Sequence, residues 1–323
     1  MNGLGLTRAR MLSLASAGAF AAVVPSARAD AQVTPPDLRV GSALIEAQAE
    51  AHYAFDTGIF KKRNLNVDIV TSNNGAASSA AVAGGDLQIA ATSLIGLAQA
   101  YNRGLPFQIV AAGAIFDSRF PSSGLFVAPS SKVEDPKELN GKTIGVGTLK
   151  GLDQLLVSVL VDQRGGDSST LKFVELKPVT TLDALLSGRV DAAHMDNPEY
   201  SLAKGQARLI GDGEATVAKT FVGTATFVET VWFATRDWLT ANAETARRFR
   251  DAIYEAGDWA MANPERAGTF LQQDLKLSTA RAAIRFASKQ NSTPASYQPL
   301  LNAAAKYNFA GAVNASDLLW QGH

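Results

Sequence analysis

Few residues of this chain have the types and spacing that chemistry needs. Cysteine is absent, which removes thiol nucleophiles, disulfides and thiolate metal ligands at once. The three histidines, His52, His194 and His323, stand far apart, and none falls in a short metal-ligand spacing. No metal site is therefore read from the sequence; a metal centre would have to be assembled in space. Gly141-Lys142-Thr143 ends like a nucleotide phosphate loop, but Pro136 stands where the earlier glycine is required and the segment opens a strand. Gly145-Val146-Gly147 has Lys150 where the dinucleotide fingerprint needs its third glycine. Serines are many, but Gly-x-Ser-x-Gly does not occur. No catalytic residue and no cofactor is expected. What remains is small polar groups, and nothing among them raises an enzyme above background.

Those groups lie on loops that regular elements must position. Leu38 to Ser42 reads as a strand and Ile45 to Phe55 as a helix that Gly58 can end. Leu65 to Val70 alternates like a strand, Ala76 to Ala83 is an alanine-rich helix, and Leu87 to Ala91 is a third strand. A helix over Ser93 to Asn102 and a strand over Pro106 to Ala112 follow. The same grammar restarts with an extended Gly124 to Ala128 and a strand at Lys142 to Val146. An apolar helical face then runs through Leu152, Leu155, Leu156, Val159 and Leu160. Phe173 to Leu176 and Val190 to Ala193 read as strands around a helix at Leu182 to Leu186, and Asn197-Pro198-Glu199 as a helix start. Strands alternating with helices predict parallel sheets with covering helices. After Thr230 the pattern is mainly helical, with one apolar face through Phe249, Ala252, Ile253, Ala256, Trp259 and Ala260. Ala81 to Ala90 parallels Ala184 to Ala193, either as a common helix-to-strand turn or as one lobe plan used twice.

The N-terminus reads as a secretory signal peptide over residues 1–31. Arg8 and Arg10 precede an uncharged stretch from Met11 to Val24, and Ala27-Arg28-Ala29 and Ala29-Asp30-Ala31 are small-x-small cleavage sites. The stretch is shorter than the ~20 apolar residues of a spanning helix. Without cysteine there is no site for an N-terminal lipid anchor, so a freely diffusing periplasmic protein is expected. The first 29 residues carry three arginines and no acid, which leaves 27 basic against 30 acidic residues. That balance offers no field for nucleic acid or an anionic membrane.

Three phrases carry a resemblance. They are Thr57 to Leu65 with Val67 to Val70, Ala83 to Ala90, and Asp135-Pro136-Lys137-Glu138-Leu139-Asn140-Gly141-Lys142-Thr143-Ile144-Gly145-Val146. Ala184 to Ala193, Ala234 to Leu239 and Trp259 to Pro264 extend it. Together they resemble the nitrate/sulfonate/taurine-type solute-binding proteins of ABC importers. The resemblance implies an α/β, two-lobed periplasmic-binding-protein type II fold with a ligand cleft between lobes. Lobe 1 would take residues 32–123 plus 230–323 and lobe 2 residues 124–229, with hinge crossings near Gly124 and Glu229. It also implies a monomer that closes on a small-molecule ligand and docks on an inner-membrane ABC permease. The alternative is a pyrimidine-synthesis-like enzyme on the same frame, although those relatives carry a cysteine-rich pattern missing from this chain.

The ligand is expected at loops after strands, where helix N-termini present backbone N–H groups. These loops hold Ser42 and Ala43, then Asn73, Asn74 and Gly75, then Thr92 and Ser93. In the second half they hold Thr148, Leu149, Lys150 and Gly151, then Asp196 and Asn197; Phe116 is a candidate for the cleft wall. The same positions match where the family binds. Each also has a plainer role: Asn74-Gly75 as a turn, Ser93 and Asn197 as helix caps, Lys150 as a solvated lysine. A small organic anion such as a sulfonate fits the helix N-termini, and a neutral or zwitterionic compound fits nearly as well.

Overall fold

The computed structural model describes residues 37–72, 75–223, 226–273, 276 and 284–322. The signal peptide and its cleavage sites lie outside the described residues. The first half runs β1 (Asp37–Ser42), α1 (Glu50–Asp56), α2 (Ile59–Lys62), β2 (Asn66–Thr71), α3 (Gly75–Gly84), β3 (Ile89–Ser93), α4 (Leu94–Asn102) and β4 (Phe107–Ala112). Gly58 does end α1, at a left-handed φ of 75° that a side chain would resist. Ser93 caps α4 by accepting from Gly96 N at 3.1 Å.

The chain continues through β5 (Ala114–Asp117), β6 (Ser123–Val127), β7 (Thr143–Val146), α5 (Leu152–Gln163), β8 (Lys172–Glu175), α6 (Pro178–Leu186), β9 (Ala192–Asp196), α7 (Glu199–Ala203), β10 (Arg208–Gly211) and α8 (Gly213–Val217). It returns by β11 (Thr226–Val228) and β12 (Thr230–Thr235), then α9 (Arg236–Ala241), α10 (Ala243–Ala262), α11 (Pro264–Gln273), β13 (Arg285–Phe286), α12 (Pro294–Lys306) and α13 (Ala315–Leu318).

Two five-stranded sheets result, ordered β2-β1-β3-β12-β4 and β10-β6-β9-β7-β8. Read from opposite ends they have one plan: three parallel strands, an antiparallel strand, then a fifth. The expected wholly parallel sheets are thus corrected, because β12 lies antiparallel between β3 and β4, and β6 antiparallel between β9 and β10. The sequence expectation of helix after Thr230 also missed β12. Five of its six residues are buried, so it has no polar face to set a period-two signal. The paired phrases in the sequence fall at equal places in the two sheets. Gly41 sits opposite Ala90 as Gly145 sits opposite Ala193.

The molecule is two-lobed. A third small sheet, β11-β5-β13, holds the segments that pass between the two large ones. There β5 and β11 pair antiparallel, Phe116 opposite Phe227. The second sheet is covered on both faces. Leu125, Ile144, Val146 and Leu160 pack on one side, and Phe126, Leu185, Met195 and Tyr200 on the other. The large core around the first sheet contains Trp232, Phe107, Phe233 and Phe249, and takes in Leu155, Leu156 and Val159 from α5. The expected apolar face of α10 is buried, except that Trp259 is only partly covered and stacks on Phe270 at 5.7 Å.

Candidate functional site

The parallel strands bring the candidate loops to two common edges. In the first sheet Ser42 ends β1 beside Thr71 at the end of β2, and Ser93 ends β3 opposite Thr230. In the second sheet Val146 ends β7 beside Glu175, and Asp196 ends β9 opposite Ser123. Thr230 and Ser123 begin the antiparallel strands that each crossing feeds. The two edges therefore flank the same crossing segments, as a cleft at strand C-termini requires.

In the first edge Ser42 is fully buried, and its hydroxyl donates to the Gln48 carbonyl at 2.8 Å. Ala43 N donates to Gln48 Oε1 at 2.9 Å. Gly75 opens α3 against Thr92, whose Oγ1 leaves no room for a methyl group on Gly75. Thr92 is buried and Ser93 half-buried. Asn73 and Asn74 lie outside the described residues. Phe116 is not on a cleft wall: it is fully buried and packs on Phe227 with ring centroids 5.2 Å apart.

In the second edge Thr148, Leu149 and Lys150 are exposed and Gly151 is buried at the start of α5. Lys150 takes a left-handed φ of 58°, and its ammonium lies 5.5 Å from the centroid of the Phe309 ring. Its carbonyl accepts from Gln99 Nε2 at 2.8 Å, which ties α4 to this loop. Leu149 N donates to Glu175 Oε2 at 3.0 Å. Asn197 does not cap α7; its Oδ1 accepts from Ser201 Oγ at 2.6 Å. Arg119 is held by Asp117, with Nε 2.9 Å from Oδ1. Both cations near the loops thus have other engagements.

Carboxyl groups dominate what the sequence reading missed. Asp153 is the second residue of α5, and its Oδ2 accepts from Gly147 N at 2.9 Å. His194 and Asp196 lie two apart on β9, so their side chains share one face of the sheet. That is the face α5 covers, and ligand atoms of Asp153, His194 and Asp196 all lie within 4.8 Å of one another. Period-two spacing of a histidine and an aspartate was visible in the sequence; the third group arrives only through the packing of α5.

The electrostatics follow from burial. Burial holds the His194 imidazole below its ordinary value, against the opposing pull of Asp153 and Asp212, and keeps it neutral. Asp196 keeps 53% of its side-chain surface open to solvent. The surrounding protein still pushes its carboxyl well up, with repulsion from Asp153, Glu214 and Glu199 added. Burial likewise raises Glu199 and Asp212. Glu214 and Glu229 are neighbouring buried carboxyl groups whose charges oppose each other. Burial first, then this crowding, raises Glu214, and burial pushes Glu229 up to about 7. The site therefore combines neutral donors on one edge with a dense acidic group on the other. A surface hollow of about 410 Å³, lined by Asp56, Gly58, Lys62, Glu255, Trp259 and Arg266, includes none of these loops.

Two lobes, each built on a five-stranded sheet, with polar loops at the strand ends beside paired crossings, define the periplasmic-binding-protein class of fold. The chain belongs to the family described as NMT1/THI5 like, which it matches over residues 48–267. It is 24% identical over 219 residues to the taurine-binding periplasmic protein of Escherichia coli K12, covering 68% of this chain and 63% of that relative. The match thus spans less than two thirds of the relative's length. Among solved structures, it is similar to the periplasmic aliphatic sulphonate-binding protein SsuA of Escherichia coli. That likeness has a TM-score of 0.71 at 17% identity, over 89% of this chain and 92% of the other. The periplasmic nitrate-binding protein NrtA of Synechocystis PCC 6803 gives 0.68 at 12% identity, over 88% and 84%. At such identities the likeness is one of fold. Among the described residues no helix is long and apolar enough to cross a membrane.

Proposed function

We propose that this chain is the periplasmic solute-binding component of an ABC importer. It would act as a monomer that takes up a small polar molecule between its lobes and presents it to an inner-membrane permease. The observation that carries this reading is the placing of polar strand-end loops beside two antiparallel crossing strands, in a chain of the NMT1/THI5-like family. Lobe 1 would comprise residues 32–123 and 230–323 and lobe 2 residues 124–229, with β5 and β11 flexing as the hinge. The names of the relatives, which are binding proteins rather than enzymes, support the same reading and favour a sulfonate- or taurine-like solute.

Calorimetry of the purified protein against alkanesulfonates, taurine, nitrate and pyrimidine precursors tests this. One solute should bind at one per chain, and Asn74→Ala should weaken it without unfolding the protein. Folded protein that gives no heat across the panel would sink the proposal. Unchanged affinity in the variant would remove that loop from the site.

A further inference from the structure

We infer that Asp153, His194 and Asp196 form a binding site for a divalent cation of the zinc or manganese kind at the C-terminal end of β9. The acidic side chains alone would not argue this. The decisive group is His194, whose side chain is 1% exposed and whose two ring nitrogens both lack a hydrogen-bond partner. A buried imidazole with no partner for either nitrogen forgoes hydration without compensation, a cost that natural interiors avoid. Its Nδ1 points toward Asp196 and stands 3.9 Å from Oδ1. That gap is too long for a hydrogen bond and close to the ~3.4 Å that separates two ligands on a tetrahedral metal with bonds of about 2.0–2.2 Å. The 4.8 Å limit on all three ligand atoms leaves only a small side-chain adjustment to close the set.

The surroundings agree with a cation. Gly147 N holds one oxygen of Asp153 and leaves the other for coordination. This fixes the carboxylate as an outer partner fixes a metal ligand. A methyl group on Gly147 would come 2.7 Å from that Asp153 oxygen, so the glycine is what permits the approach. Asp212, Glu214, Glu199 and Glu229 crowd further carboxyl groups into the same region, whose mutual repulsion a cation would relieve, while Lys150 and Arg119 are engaged elsewhere. One imidazole and two carboxylates suit zinc or manganese better than magnesium or calcium, which favour all-oxygen shells. Three protein ligands leave a coordination position open, and Asp196 is the half-exposed member that faces solvent. A divalent cation there would also offset the charge of the two carboxylates and ease the approach of an anionic solute to the acidic edge.

The test is a zinc titration of chelator-stripped, solute-free protein, so its result does not depend on whether any solute binds. We expect one equivalent of zinc per chain with micromolar or tighter affinity. His194→Gln and Asp196→Asn should each weaken it at least tenfold, in proteins whose circular dichroism matches the parent. Cobalt should report the same site by visible d–d absorption that His194→Gln abolishes. His323→Ala should change nothing. Zinc affinity within twofold of the parent in both His194→Gln and Asp196→Asn, or affinity lost on His323→Ala, overturns the assignment. So does the absence of a stoichiometric site in the parent. Asp196→Asn sits at a half-exposed position and removes repulsion, so it keeps the test decisive if His194→Gln fails to fold.

Discussion

The indole Nε1 of Trp232 donates to Oε1 of Glu50 across 3.3 Å, with both residues no more than 1% exposed. The other Glu50 oxygen has no partner, and burial pushes the carboxyl up to about 8. The folded protein therefore keeps a proton that the unfolded chain releases near pH 4.5. Stability from this group is complete below pH 4.5 and is lost as pH rises toward 8. Glu229, raised to about 7, acts with the same sign. Glu50→Gln should stabilise the protein at pH 8 by about 2 kcal/mol and leave it nearly unchanged at pH 5. Urea unfolding at the two pH values checks this; an equal effect at both would refute the buried, protonated carboxyl.

Gly213 opens α8 directly against α5. A methyl group on its α-carbon would lie 2.8 Å from the Leu156 carbonyl oxygen and 2.8 Å from its Cβ. Backbone cannot swing aside as a side-chain tip can, so Gly213→Ala should destabilise by about 1–3 kcal/mol through overpacking. Thermal unfolding measures it, and an unchanged midpoint would show that the two helices can separate at no cost.

Gln99 Nε2 donates to the carbonyls of both Lys150 and Phe309, at 2.8 and 2.9 Å. Gln99→Ala should cost about 1–2 kcal/mol for the two bonds. Gln99→Glu should cost more at pH 7, because a carboxylate cannot donate and would face two carbonyl oxygens. The difference between the variants should shrink near pH 3, where the acid regains a proton. Equal stabilities at pH 7 would mean that the tie contributes little.

Much of the frame was legible because its signals are local. Alternation over Leu65 to Val70 marked β2, the apolar face from Leu152 marked α5, and the turn chemistry of Gly58 and Ser93 placed helix boundaries. The candidate loops were legible for the same reason, since each follows a readable strand. Phe116 was misplaced because an aromatic after a strand looks alike on a cleft wall and in a core. Only the pairing of β5 with β11 buries it. Asp153 was passed over because a carboxylate in the first turn of a helix has an ordinary role there.

The sequence by itself determined the alternation of strands and helices, the absence of thiol chemistry and the polar loops at strand ends. These depend on side-chain type and short-range spacing, which survive without a third dimension. The tertiary structure decided the insertion of β12 and β6 as antiparallel strands, the placing of each sheet edge beside the paired crossings, and the approach of Asp153 to His194 and Asp196. Those relations join residues tens to more than a hundred positions apart, and long-range packing imposes no periodicity that a reader of the chain could follow. Burial finished the matter: the same carboxyl groups that would be ordinary on a surface become a proton-holding, cation-seeking cluster once protein surrounds them.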